Sequence, residues 1–178
     1  MTEATQRLFF ALWPNASTSD AFATLAQQVA AESGGRPTSH GNAHVTLAFL
    51  GDQPRRVARE LCAAASRISA PAFDLVFDRV GGWRKSEIAW AGAQSVPPAL
   101  LDLHRAVDRL LQASGLHPEE RPFAVHVTLA RHATAVLRRP IVPSLAWHVT
   151  TFALVVSELS TEGARYRVLS SWPLTASA

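Results

Sequence analysis

Five residues, His44-Val45-Thr46-Leu47-Ala48, return letter for letter as His126-Val127-Thr128-Leu129-Ala130. This repetition constrains the fold more than any other feature of the chain. An apolar-rich pentamer recurs by chance in on the order of one such sequence in a hundred. Its β-branched and apolar residues favour an extended strand. Side chains alternate along a strand at ~3.3 Å per residue, so each copy presents an imidazole with a hydroxyl ~6.6 Å further along on one face. Val and Leu anchor the other face.

The surroundings of the pentamers repeat as well. Arg7 to Trp13 reads as a buried strand ended by Pro14-Asn15, and Glu87 to Ala93 as its counterpart. A helix capped by Ser17, Thr18 or Ser19 runs to about Ala31 with Phe22, Leu25, Ala26 and Val29 on one stripe. A second, opened by Pro97-Pro98, runs to about Ser114 with Leu100, Leu101, Leu103, Val107, Leu110 and Leu111 making a broad apolar face. Arg36-Pro37 precedes the first pentamer and Arg121-Pro122 the second. Phe9 precedes His44 by 35 positions and Ala89 precedes His126 by 37. The pattern predicts an internal duplication, about residues 7–50 and 87–130, inside a single bilobal domain spanning 1–178. An approximate twofold axis would then set the two histidines across a shared cleft.

Between and after these units, Gly34-Gly35-Arg36-Pro37 reads as a turn and exit loop, and Gly51-Asp52 as the end of the first His-x-Thr strand. A helix follows Pro54 with Val57, Leu61 and Ile68 as apolar members, and Pro71 ends it. Phe73 to Val80 alternates as a half-exposed strand broken by Gly81-Gly82. Ala133 to Ser144 reads as a loop. Trp147 to Leu159 and Arg165 to Leu174 read as closing strands joined by a turn at Thr161-Glu162-Gly163.

Composition narrows the chemistry. With 178 residues, 48% of them apolar, the chain can bury a substantial core. A net charge of +3, almost all of it from Arg with Lys85 the one lysine, suits an anionic partner without amounting to a nucleic-acid-binding tail. The single cysteine, Cys62, reads as a small helix residue; it permits no internal disulfide and fits a reducing cytoplasm. Leu8 to Trp13 is too brief for a signal-peptide core, and no apolar run approaches the ~20 residues that cross a bilayer.

Cleaving a phosphate diester needs a base for the attacking oxygen and an acid for the departing one, on opposite sides of phosphorus. Imidazole titrates near pH 6.5 and serves as either. His44 and His126 are the candidate pair. Thr46 and Thr128 can donate to the non-bridging oxygens, and Arg131, three positions beyond Thr128, is a further clamp where the strand ends. A lone strand histidine is ordinarily a packing or surface residue; duplication with Thr at the same offset outweighs that reading. His40, His104, His117, His132 and His148 lack such context and read as surface or loop residues. A metal centre is the chemical rival, yet there is no HExxH, paired carboxylate or Cys cluster. Nor is there a GxSxG elbow, a GxxxxGK[ST] loop or a GxGxxG turn.

RLFFALWP (Arg7 to Pro14), HVTLAFLGD (His44 to Asp52) and RPFAVHVTLAR (Arg121 to Arg131) resemble the 2H phosphoesterase superfamily. More narrowly they resemble the RNA 2′,3′-cyclic phosphodiesterases, also called LigT-type 2′-5′ RNA ligases. The resemblance runs from Arg7 to about Trp172. It implies an α+β fold in which two antiparallel sheets with flanking helices border a central cleft, each sheet donating one motif. It further implies hydrolysis of RNA 2′,3′-cyclic phosphate ends to 2′-phosphate; two imidazoles supply that chemistry without a metal or cofactor, and the expectation is a cytoplasmic monomer acting on such an RNA end with no membrane and no obligate protein partner. His44 would be the proton donor to the leaving 3′ oxygen and His126 the base for water, with Thr46, Thr128 and Arg131 on phosphate. From the residues alone the two roles are interchangeable, because the motifs are identical. Two other readings stand beside this one. One is formation or cleavage of a 2′-5′ linkage by the same residues. The other is a non-catalytic RNA-end binder using Trp13, Trp83, Trp90 or Trp147 as stacking platforms.

Overall fold

The structure is a computed structural model that describes residues 4–119, 121–160 and 163–176. In chain order it comprises β1 (Thr5–Leu12), α1 (Ala16–Ser33), β2 (Arg36–Pro37), β3 (Val45–Pro54), α2 (Arg55–Ala65), β4 (Phe73–Trp83) and β5 (Ile88–Gly92). After these come α3 (Pro98–Ala113), β6 (His126–Arg131), β7 (Arg139–Val149), β8 (Thr151–Ser160) and β9 (Gly163–Pro173). Two sheets form, one ordered β3-β1-β8-β9 and the other β2-β6-β5-β4-β7. Every pairing within them is antiparallel. Leaving aside the two-residue β2, the two orders match position for position: β3 with β6, β1 with β5, β8 with β4, β9 with β7. This is the α+β architecture of two antiparallel sheets that the motifs imply.

The helices are exchanged between the sheets. α1, from the first half, packs on β6 and β2 of the second sheet, while α3, from the second half, packs on β3 of the first. Each His-x-Thr strand is thus backed by the other half's helix. Phe22, Leu25 and Val29 of α1 and Leu100, Leu103 and Val107 of α3 join a single core with Val45, Leu47, Val127 and Leu129. Burial of such side chains contributes about 1.5–3 kcal/mol each, so neither half retains its core without the other.

Several expected boundaries move, each for a local reason. Asn15 rather than Ser17, Thr18 or Ser19 caps α1, its side-chain oxygen accepting from the Thr18 N–H at 2.9 Å. Gly34 closes that helix at φ 69°, after which Arg36-Pro37 is not loop but a short strand opposite Arg131 and Ala130. β3 does not stop at Gly51-Asp52: Gly51 takes φ 69° and the ladder to β1 continues to Pro54. α2 ends at Ala65, which leaves Ile68 beyond it. Ala133 to Ser144 is loop only as far as Arg138; β7 begins at Arg139 and pairs with β4. The stretch from Trp147 to Leu159 divides at Thr150 between two strands in different sheets. Of the proposed closing turn, Thr161 and Glu162 lie outside the described residues.

Gly81-Gly82 does not break β4 either. The strand runs through it to Trp83 because the missing side chain at Gly81 leaves room for an indole: a Cβ there would stand 2.2 Å from the Trp90 ring, and one at Gly92 would stand 2.6 Å from it. A Gly81→Ala variant should lose about 1–3 kcal/mol of stability by this overpacking, read as a lower Tm. Unchanged stability would show that Trp90 has somewhere else to go.

Candidate active site

Simple alternation would put Thr128 and Arg131 on opposite faces of β6, since three residues separate them. The ladder shows otherwise. Thr128 pairs with Trp90 and Arg131 with Ile88, which are two residues apart on β5 and therefore share a face. The register slips by one at Leu129, a β-bulge that turns Arg131 onto the side of Thr128 and His126. The first copy has the same slip at the same letter: Thr46 pairs with Ala11 and Phe49 with Phe9, leaving Leu47 extra. Leu47 and Ala48 are both buried, as are Leu129 and Ala130. The motif therefore encodes a bulged strand, and the position matching Arg131 in the first copy is Phe49.

The two imidazoles are held alike. His44 Nδ1 lies 2.7 Å from the Asn42 carbonyl oxygen and His126 Nδ1 lies 2.8 Å from that of Ala124, two residues back in each case. A carbonyl oxygen only accepts, so each Nδ1 carries the proton and each neutral ring keeps its lone pair on Nε2. His44 Nε2 is 3.1 Å from Thr46 Oγ1, which donates to it. Asn42 is itself tied to β9 by its side-chain amide, which donates to the Ala164 carbonyl at 2.9 Å. Thr46 and His126 line one cleft of about 790 Å³ where β3 and β6 approach each other. His126 and Arg131 both act electrostatically on His44.

The surroundings of the two rings differ. His44 sits in an aromatic box: Trp13 stacks on it at 5.7 Å and 16°, Phe9 lies 4.9 Å away, and Tyr166 meets it edge-on at 5.1 Å. Burial lowers its pKa to about 4; the Asn42 carbonyl opposes this, while positive charge on His126 and Arg131 adds to it. Among the described residues His126 has one aromatic neighbour, Trp83, at 4.7 Å, with Trp90 behind. Its pKa is also lowered by burial, against the hydrogen bond to Ala124. Both rings are therefore neutral at pH 7 in the free protein. Such a pair can hand a proton to one side of a bound phosphorus and take one from the other, once an anion raises one ring's proton affinity.

The other candidates separate cleanly. Trp147 is core, packed edge-on against Phe22, while Trp13 meets His44, Trp83 meets His126 and Trp90 packs on Trp83. His40, His132 and His148 are exposed beside Asp20, Glu87 and Asp74, and His117 is exposed. His104 is not a surface or loop residue: it lies in α3, half-buried on the wall of the cleft. Its spacing of four from Asp108 was the available signal. Cys62 is half-buried in α2. Among the described residues no three His, Cys, Asp or Glu side chains are grouped to hold a metal ion, and no helix is long and apolar enough to cross a membrane.

Two antiparallel sheets, each carrying one His-x-Thr strand to a common cleft, are the architecture of phosphoesterases, and comparison with known proteins gives the family. Residues 12–90 match the model described as LigT like phosphoesterase. The chain is 34% identical to the RNA 2′,3′-cyclic phosphodiesterase of Escherichia coli over 96% of its own length and 97% of that protein's. It is 30% identical to the enzyme of the same name from Thermus thermophilus, covering 94% and 90%. The crystal structure of E. coli LigT complexed with 3′-AMP superposes with a TM-score of 0.87 at 34% identity, over 97% of this chain and 99% of that one. The chain belongs to the LigT-like phosphoesterase family and is an enzyme of that type.

Proposed function

We propose that this enzyme hydrolyses the 2′,3′-cyclic phosphate at the end of an RNA to a 2′-phosphate, with His44 and His126 as its acid–base pair and without a metal ion. The observation that carries the reading is the matched locking of the two rings. Each Nδ1 is held by the carbonyl two residues back, which makes Nε2 the proton-exchanging nitrogen of each ring, that of His44 meeting the Thr46 hydroxyl in the free protein. In the proposed step a water oxygen attacks phosphorus and gives its proton to His126 Nε2. The bond from phosphorus to O3′ breaks, and O3′ takes a proton from His44 Nε2. Thr46, Thr128 and Arg131 hold the non-bridging oxygens, where charge builds in the transition state.

The curated names of the relatives support the substrate, and the 3′-AMP complex of one of them supports a nucleotide at the RNA end. The same reading makes the chain one bilobal domain of two related halves, about 7–50 and 87–130; the matched strand orders and matched bulges support that descent. One chain supplies both motifs, so a cytoplasmic monomer suffices. Incubating a short RNA bearing a 2′,3′-cyclic end with the enzyme in EDTA should yield the 2′-phosphate. A 3′-phosphate product overturns the assigned polarity, and loss of turnover on chelation overturns metal independence.

A further inference from the structure

The two His-x-Thr motifs are identical, but what holds the carbonyl in front of each imidazole is not. His126 Nδ1 donates to Ala124, whose methyl side chain offers no hydrogen bond; its neighbour Phe123 packs edge-on against His104 of α3 at 4.0 Å. His44 Nδ1 donates to Asn42, which is pinned twice. Its backbone N–H donates to the Ser39 carbonyl at 3.0 Å, and its side-chain amide donates to the Ala164 carbonyl of β9 at 2.9 Å. β3 begins only at Val45, so Asn42 lies beyond the ladder to β1, and β1 and β8 stand between β3 and β9 in the sheet. Ser39 to Asn42 and Gly163 to Tyr166 nevertheless line one groove of about 420 Å³. Tyr166, two residues on from Ala164, meets His44 edge-on at 5.1 Å. The start of β9 thus reaches the ring by two routes, one direct and one through Asn42.

We propose that Asn42 is a positioning residue for the reaction: the bond from its amide to Ala164 fixes the carbonyl that selects the Nδ1–H tautomer of His44. The proposal rests on His44 as the proton donor of the reading given above. Which nitrogen of a neutral imidazole carries the proton is set by the hydrogen bond that one of them makes, here the one from Nδ1 to the Asn42 carbonyl. No ladder holds that carbonyl, and Gly41 just before it stands at φ 82°, in a turn that leaves the backbone few other restraints. Without the amide anchor the carbonyl can swing away from Nδ1. The ring then takes its proton on either nitrogen, and Nε2 leaves its place 3.1 Å from the Thr46 hydroxyl. A reacting group displaced by ~1 Å costs about 10²-fold in rate, so a single half-buried amide controls the delivery of the proton without touching the substrate.

NMR of the imidazole nitrogens in the free protein at pH 7, with His44 assigned by its absence in His44→Asn, should show wild-type His44 as the Nδ1–H tautomer alone. Asn42→Ala should divide His44 between both tautomers and leave the His126 signals unchanged. On an RNA with a 2′,3′-cyclic end, the same variant should lower kcat about 10- to 10²-fold with KM nearly unchanged. Asn42→Ser, whose side chain suits the same loop but is too short to reach Ala164, should repeat both effects. Thr175→Val is the control. It removes another side-chain bond to a distant backbone carbonyl, from Thr175 Oγ1 to Ala70 at 3.2 Å, and should lower Tm without moving kcat or the tautomer. A mixed tautomer in the wild type, an unchanged His44 spectrum in the Asn42 variants, or equal kcat losses in these and in Thr175→Val overturns the positioning role. If no RNA end is turned over, the substrate reading has failed instead, and the spectra alone decide for or against the anchor.

Discussion

Alanine in place of His44 or of His126 should each lower kcat by roughly 10²- to 10⁴-fold, the usual contribution of one positioned acid or base. KM should change little, because the hydroxyls of Thr46 and Thr128 and the guanidinium of Arg131 remain to hold the phosphate. The two losses should not multiply in the double variant. Once one proton transfer fails, the other group has no concerted step to assist. His44→Ala also empties the space between Phe9, Trp13 and Tyr166, so part of its effect could be a collapsed box rather than lost chemistry. His44→Asn separates the two. Its amide can still donate to the Asn42 carbonyl while offering nothing that titrates, and it should be as inactive as His44→Ala while keeping the wild-type Tm more closely. Near-wild-type turnover in any of these single variants would falsify the acid–base pair.

The two-sheet class and the pair of His-x-Thr strands were legible because His-x-Thr-x is a local pattern, and its duplication marks two equivalent strands. The bulge was not, although it decides where Arg131 stands. An extra residue in a ladder is visible only against the partner strand, and β1 and β5 lie some 35 positions away in sequence. Gly81-Gly82 misled for a related reason. Glycine pairs usually mark turns, but here the missing side chain at Gly81 accommodates Trp90 from the neighbouring strand. The first stretch of β7 was hidden by Pro140 and Pro143, which an edge strand tolerates because one side of it has no ladder to complete. His104 was missed because its partner Phe123 and the cleft come from outside α3.

Identical motifs also hid an asymmetry that tertiary packing creates, since among the described residues Phe9, Trp13 and Tyr166 reach His44 while Trp83 alone reaches His126. Its consequence is a pH profile. The active form holds one proton on the pair, and kcat/KM reports the free enzyme. Going up in pH, the last proton leaves at the pKa of the more basic ring, which burial holds below 6.5. Going down, a second proton enters against both desolvation and the charge already present, near the value of about 4 at which His44 titrates. The kcat/KM bell should therefore peak on the acid side of pH 6.5 and stand at least about tenfold below its maximum at pH 7.5. A bound phosphodiester brings a negative charge to the rings and favours their protonated forms, so the alkaline limb of kcat should lie above that of kcat/KM. Substrate thereby supplies the proton affinity that a general acid in the aromatic box lacks when the cleft is empty, and His44 becomes an acid only with its phosphate in place. Arg131→Gln removes one of the charges that depress His44 and should move the acid limb upward. A kcat/KM optimum at or above pH 7.5, with limbs that saturating substrate does not shift, would show that these rings do not carry the protons.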